Sequence, residues 1–227
     1  MNLRLNTLAE MVDQNSRVAD IGTDHAYLPI QLVKEGKVDY AIASDIAQGP
    51  LNNAIQDIAQ AGFADKIEAR LGAGLETIKH EDQIDTVVIA GMGGKLMIQI
   101  LDDAWNKGFH FENLVLAPNI TEPKVREWLM NHNYHLLDEK LIFEAGHSYE
   151  LLKAKLEKEP VELTKRQLLF GPIILKDKSP EFYQKWASQL NYFNGLLANL
   201  NKAKNKDQAR IESIEQQIAA IKEELDD

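Results

Sequence analysis

The sequence predicts an α/β fold: a Rossmann-like, doubly wound and mostly parallel sheet with an antiparallel addition at its end, followed by a helical hairpin. Three observations predict it. Short apolar runs stopped by Gly, Asp, Asn or Pro alternate with helix-length segments up to about residue 131. Two strand-like segments then follow with no helix between them. Past Pro160 the apolar residues take heptad spacing.

The elements read in order. Leu3, Leu5, Leu8, Ala9 and Val12 give one face of an opening helix. Arg17–Ile21 is a short buried strand stopped by Gly22, and a helix follows over 28–36. Tyr40–Ser44 is a second strand ending on Asp45. Pro50 suits the first turn of a helix that Gly62 ends. Strands over 66–71 and 85–90 end in the glycine-rich stretches 72–74 and 91–94, and a helix runs from Lys95 to about Asn106. Leu114–Ala117 is a fifth strand closed by Pro118-Asn119, and 122–131 is helical. Segments 134–144 and 149–156 read as a hairpin joined by Gly146-His147-Ser148. Phe170-Gly-Pro172 and Ser179-Pro180 break a short connecting region. Trp186, Leu190, Phe193, Leu197 and Leu200 form one seam, and Ile211, Ile214, Ile218, Ile221 and Leu225 a second. An antiparallel hairpin turning at 201–207 is the first choice, and one continuous helix also fits.

Composition narrows the class. The 227 residues contain no cysteine, which excludes disulfides, thiolate metal sites and a Cys nucleophile. No apolar run reaches the ~20 residues of a membrane span, and the N-terminus opens no signal peptide, so a soluble, cytoplasmic protein is expected. Charge is unevenly spread. Residues 1–160 carry 15 basic and 25 acidic side chains, residues 161–210 carry 9 and 4, and residues 211–227 carry 1 and 6. A polyanion could meet the middle block, which includes Lys202, Lys204 and Lys206, but not the front.

In an open α/β sheet, ligands bind beyond the C-terminal ends of the strands. The first such loop is Asp20-Ile-Gly-Thr-Asp-His-Ala26, where Asp24 and Ala26 stand in place of further glycines. A carboxylate there would repel a pyrophosphate, which argues against a nicotinamide cofactor. S-adenosyl-L-methionine, cationic and without phosphate, is compatible. Asp45 at the end of the second strand can accept hydrogen bonds from both ribose hydroxyls. Gly91-Met-Gly-Gly-Lys95 lacks the spacing and the Ser or Thr of a P-loop; its glycines can let backbone approach a flat ligand. His132 and His135 lack a third ligand nearby, so no metal is expected.

Taken together, residues 20–30, 43–50, 89–94 and 116–119 closely resemble the bacterial tRNA (adenine-N1)-methyltransferase family TrmK, which modifies adenosine 22 in the D-arm. The resemblance extends to Tyr149-Glu150, Phe170-Gly-Pro172 and the helical tail. It implies a class I methyltransferase domain over 1–160 and a C-terminal coiled coil over 161–227 that contacts tRNA. Carried over, Gly22, Asp24 and His25 would hold the methionine end of the cofactor, Asp45 and Ile46 the ribose and adenine, and Gly72 and Ala73 the adenine. Gly91 and Met92 would lie beside the sulfonium, with Asn119 near the incoming base. Three positions depart from the family's pattern: Ala73 where an acid is expected, Asp45 for a common Glu, and Ala117 for Gln.

The chemistry agrees with that implication. N1 of neutral adenine has a free lone pair, so in-line attack on a sulfonium methyl needs positioning rather than a strong base. Because N1 lies on the Watson–Crick edge, a paired target must be flipped out. Tyr27 is the candidate to stack on it, and Asp24 to stabilise developing positive charge. A non-enzymatic coiled-coil adaptor and a nicotinamide oxidoreductase are the alternatives.

Overall fold

The structure, a computed structural model, describes residues 3–202 and 206–226. Its elements are α1 (Leu3–Met11), β1 (Arg17–Ile21), α2 (Tyr27–Lys34), β2 (Tyr40–Asp45), α3 (Gln48–Ala61) and β3 (Ile67–Leu71). Two single turns of 3-10 helix, Gly74–Thr77 and His80–Asp82, lead into β4 (Thr86–Ala90), α4 (Gly94–Asn106), β5 (Asn113–Ala117) and α5 (Glu122–Asn131). The hairpin β6 (Tyr134–Glu144) and β7 (His147–Leu156) comes next, then α6 (Lys165–Phe170), α7 (Ile174–Asp177), α8 (Pro180–Lys202) and α9 (Gln208–Asp226).

The seven strands form one sheet in the order β3-β2-β1-β4-β5-β7-β6. β1 to β5 are parallel, and β7 runs antiparallel to both β5 and β6. The central strands are buried on both faces, which is why they read as unbroken apolar runs. Alternation sends Val18, Val88 and Val115 to one face with Leu8, Leu32 and Ile58. It sends Ala19, Ile89 and Leu116 to the other with Met97, Leu101 and Leu129.

The hairpin turn is tighter than Gly146-His147-Ser148 suggests. The strands extend to Glu144 and His147, leaving only Ala145 and Gly146 at φ 49° and 81°. Two left-handed residues match the twist of the flanking strands, so pairing continues closer to the turn than polarity alone indicates.

Two compact units are present, Met1–Ile173 and Ile174–Asp227. In the second, α8 and α9 pack on each other. Lys178 Nζ, just before α8, lies 3.4 Å from Glu224 Oε2 near the end of α9, so the helices run antiparallel and the continuous-helix alternative falls. Ile211, Ile214, Ile218 and Ile221 are buried, and Leu190, Phe193, Leu197 and Leu200 are half-buried, matching the two seams read from spacing. Lys204, within the polar segment between the helices, lies outside the described residues.

The antiparallel end of the sheet surrounds a buried ionic group. Arg126 of α5 is fully buried; its Nε donates to Glu139 Oε1 on β6 at 2.7 Å and its Nη2 to Glu150 Oε2 on β7. Nη1 donates to the Leu168 carbonyl at 3.2 Å, and the Ile173 N–H donates to Glu139 Oε2 at 2.8 Å. Burial alone would depress the guanidinium pKa, but the two carboxylates outweigh it and hold the pKa above its ordinary value. Gly171 explains the Phe-Gly-Pro sequence: at φ 86°, a Cβ there would stand 2.7 Å from Arg126 Nη2. Arg126→Leu would take the guanidinium away from two buried carboxylates and is expected to cost about 3–5 kcal/mol, read as a lowered urea midpoint. A loss below about 1 kcal/mol would show that the group contributes no more than a surface pair.

Candidate active site

The site grows from how the loops at the C-terminal edge of the sheet are tied. The Gly22 and Thr23 N–H groups both donate to the Ser44 carbonyl, each at 2.9 Å, and the Gly72 N–H donates to the Asp45 carbonyl at 3.0 Å. On the other side the Gly91 N–H donates to Ala117 O at 3.2 Å, and the Asn119 N–H to Met92 O at 2.8 Å. Loops 1, 2 and 3 thus form one group, and loops 4 and 5 another. The two groups part between β1 and β4, where the strand order reverses, and ligands bind at such switch points.

A cavity of about 350 Å³ opens there, lined in part by Gly22, Asp45, Ile46, Gly72, Ala73 and Met92. Gly22 sits at φ 78°, a conformation that favours glycine, and the flexible Met92 Cε lies 2.1 Å from where a Cβ would stand, against the bare Cα. Asp45 Oδ1 accepts the Ala47 N–H at 2.7 Å, which fixes the carboxylate against its own loop. Ser44 also lines the cavity, and its buried hydroxyl has no hydrogen-bond partner among the described residues. Behind Gly22, burial pushes the Asp20 carboxyl up to about 6; the Thr23 hydroxyl opposes the shift and Asp45 adds to it.

A second cluster lies on the same edge, outside the cavity lining. His25 Nδ1 is 2.7 Å from Asp57 Oδ2 on α3, and its Nε2 is 3.7 Å from Asp24 Oδ1. Its ring stacks on Tyr27, centroids 5.0 Å apart and planes 7° from parallel. His25 and Ala26 occupy φ 49° and 50°, backbone strain that the Asp57 contact helps hold. Tyr27 is half exposed, and Asp24 faces solvent. Asn119 is exposed, its Nδ2 donating to Gly91 O at 2.7 Å.

Six of the sequence-derived residues therefore meet in one cavity. Asp24, His25, Tyr27, Gly91 and Asn119 stand on the neighbouring loops instead. Sequence reasoning missed Ser44, Asp57 and the far walls of the cavity, formed by Leu75, Ile78, Leu96, Ile100 and Phe109. Only the α4 part carried a signal, a helical recurrence at Leu96, Ile100, Ala104 and Lys107 along one face.

A seven-stranded sheet of this order, with an acid at the end of β2 and a cavity at the β1/β4 reversal, defines a class I methyltransferase fold. The family profile TrmK, described as tRNA (adenine(22)-N(1))-methyltransferase, matches residues 18–223, and the chain belongs to that family. The tRNA (adenine(22)-N(1))-methyltransferase of Bacillus subtilis (strain 168) is 34% identical over 232 residues, covering 100% of this chain and 97% of that one. A Streptococcus pneumoniae protein, Sp1610, solved in complex with S-adenosyl-L-methionine, superposes with a TM-score of 0.90 at 34% identity, covering 99% of each chain. M. capricolum TrmK, solved with S-adenosyl-homocysteine, gives 0.87 at 30%, covering 100% of this chain and 98% of that one. Neither the adaptor nor the nicotinamide reading is supported.

Asp20 yields a prediction about pH. A raised carboxyl pKa means that the native state holds this proton more tightly than the unfolded chain, so stability is lost as pH rises from about 4 to about 6. The loss is on the order of 2–3 kcal/mol at full effect. Asp20→Asn, which cannot ionise, is expected to raise the melting temperature at pH 8 relative to the parent and to leave it nearly unchanged at pH 4. Equal shifts at both pH values would show that the effect is not ionisation.

Proposed function

We propose that this protein transfers a methyl group from S-adenosyl-L-methionine to N1 of adenosine 22 in tRNA. The observation that carries the reading is the cavity at the β1/β4 reversal: a close-approach glycine, a fixed acid and no phosphate cradle, in a chain of the TrmK family. The residues present fit the cofactor. Gly22 brings bare backbone to the cavity wall beside Met92, the Asp45 carboxylate suits a pair of ribose hydroxyls, and Ser44 offers a buried hydroxyl without a partner among the described residues.

Bound there, S-adenosyl-L-methionine supplies an electrophilic methyl group on a sulfonium. Gly22, Asp24 and His25 hold the methionine end, Asp45 and Ile46 the ribose and adenine, and Gly72 and Ala73 the base; Gly91 and Met92 lie beside the sulfonium. With Ala73 in place of an acid, the adenine edge is left to backbone groups and apolar contact. Tyr27, braced by His25 and Asp57, stacks on the flipped target base. Asn119, anchored on Gly91 O, lies near that base, and Asp24 stabilises the positive charge that develops on it. Ala117 is fully buried in β5, so its side chain plays no part in recognition.

The C-terminal segment, 161–227, is the tRNA-gripping part in this reading, with α8 and α9 as a coiled coil and the basic stretch around Lys202 and Lys206 meeting phosphates. Among the described residues no helix is long and apolar enough to cross a membrane, and the reaction belongs in the cytoplasm with its tRNA.

The decisive experiment is transfer from labelled cofactor to unmodified tRNA, with nucleoside analysis of the product. It is expected to give 1-methyladenosine, and tRNA carrying guanosine at position 22 is expected to give none. Asp45→Ala should weaken cofactor binding roughly 100-fold, since hydrogen bonds to a charged group are worth about 1.5–3 kcal/mol. Cofactor binding without transfer would move the substrate elsewhere. Reversing Lys202, Lys204 and Lys206 to Glu should weaken tRNA binding at least about tenfold and flatten its salt dependence. Unchanged binding would remove the tail from the interface.

A further inference from the structure

The cavity is longer than a cofactor's adenosine needs. Its α4 wall is one helical face, Leu96, Gln99, Ile100, Asp103, Ala104 and Lys107. At 1.5 Å per residue, this face runs roughly 16 Å from the strand edge toward the far end of the helix. The opposite wall is the 3-10 turn Gly74–Thr77 with Ile78. Midway, Ile100 leans against Gly74, its Cγ2 only 3.0 Å from where a Cβ would stand, and forms a waist. Above the waist lie Gly22, Asp45, Ala73 and Met92. Below it the lining is apolar, from Leu75, Ile78, Ala104 and Phe109. At the bottom Lys107 Nζ meets Glu76 Oε1 at 2.9 Å; both side chains are more than half exposed, so the pair is a weak closure.

Resting on the reading that Asp45 holds the ribose, we propose that this lower lobe is a binding site for an apolar aromatic group carried on the six-membered ring of the cofactor's adenine. The glycosidic bond ties the five-membered ring to the ribose, so with the ribose on Asp45 the six-membered ring lies farther from it and faces the waist. Ala73 presents only a methyl group beside that path, whereas an acid would place a charge there. Leu75, Ile78, Ala104 and Phe109 give the lobe apolar walls that reward a group leaving water, while Asp103 and the Lys107–Glu76 pair are the polar groups on its α4 side and at its floor.

The probe is N6-benzyl-S-adenosylhomocysteine, compared with S-adenosylhomocysteine by calorimetry on the full-length protein. The N6-benzyl compound is expected to bind at least as tightly as the parent compound. Ile100→Ala, which widens the waist, should tighten the benzyl compound about tenfold relative to the parent. Ala104→Leu, which fills the lobe, should weaken only the benzyl compound, by about tenfold. Melting curves establish that both variants are folded. If the benzyl compound binds more than about tenfold weaker than the parent and Ile100→Ala does not restore it, the lobe does not receive this group and the proposal is overturned. If the parent compound itself fails to bind, the cofactor reading falls first and this proposal with it.

Discussion

Parallel strands cannot be joined by a tight turn, and the molecule is arranged around that constraint. Each parallel connection must cross over one face of the sheet. The chain winds outward through β1, β2 and β3, then returns to lay β4 and β5 on the other side of β1. The loops at the C-terminal edge find their backbone partners within their own half of the sheet: Gly22 and Thr23 on Ser44 and Gly72 on Asp45 in one, Gly91 on Ala117 and Asn119 on Met92 in the other. The β1 and β4 loops, pulled apart by these bonds, leave a crevice between two adjacent strands. What bridges it is a side chain, Met92, laid against the bare Cα of Gly22. The cavity is therefore a consequence of winding direction: the strand ends deliver Gly22, Asp45 and Met92 to it, and α4 and the Gly74–Thr77 turn wall it.

The far end of the sheet obeys a different rule. An antiparallel hairpin added to a parallel sheet needs its own anchor, and here that anchor is charged. Arg126 lies between Glu139 and Glu150, and the surplus carboxylate oxygen is used on the Ile173 N–H. Removing a guanidinium and two carboxylates from water costs several kcal/mol per ion, so the group adds little net stability over an apolar packing. The hydrogen-bond directions of a guanidinium fix where α5 crosses β6 and β7, and they hold the 168–173 segment against the sheet, which apolar contacts would do less selectively.

The parallel half of the fold was legible because its signal is local. Buried strands such as Thr86–Ala90 are continuous apolar runs with a glycine or acid after them, and their helices show one apolar face. The tail was legible through heptad spacing, but its direction was not, because a seam in register permits either a turn or a continuous helix; the Lys178–Glu224 pair decides it. Gly22, Asp45 and Met92 were legible as loop residues at strand ends. Asp57 was not, because nothing in an exposed-looking helix position tells that its carboxylate reaches His25 from 32 residues away. Arg126 was hidden for the same reason. Its neighbours read as an ordinary amphipathic helix, and its two partners come from strands where alternating charge normally signals a solvated edge.

The charge partition of the chain follows from the reaction assigned to it. A sulfonium donor and a 1-methyladenosine product are both cationic, so a site for them gains from nearby carboxylates; Asp20, Asp24, Asp45 and Asp57 all lie on or beside the C-terminal edge of the sheet. The same negative field repels the phosphates of the tRNA that brings the base. One surface does not serve both needs well. Residues 1–160 keep the excess of acids, with 25 against 15 basic side chains, and residues 161–210 carry the basic excess, with 9 against 4 acids. The base itself escapes that repulsion, because an unstacked adenine carries no charge until the methyl group arrives.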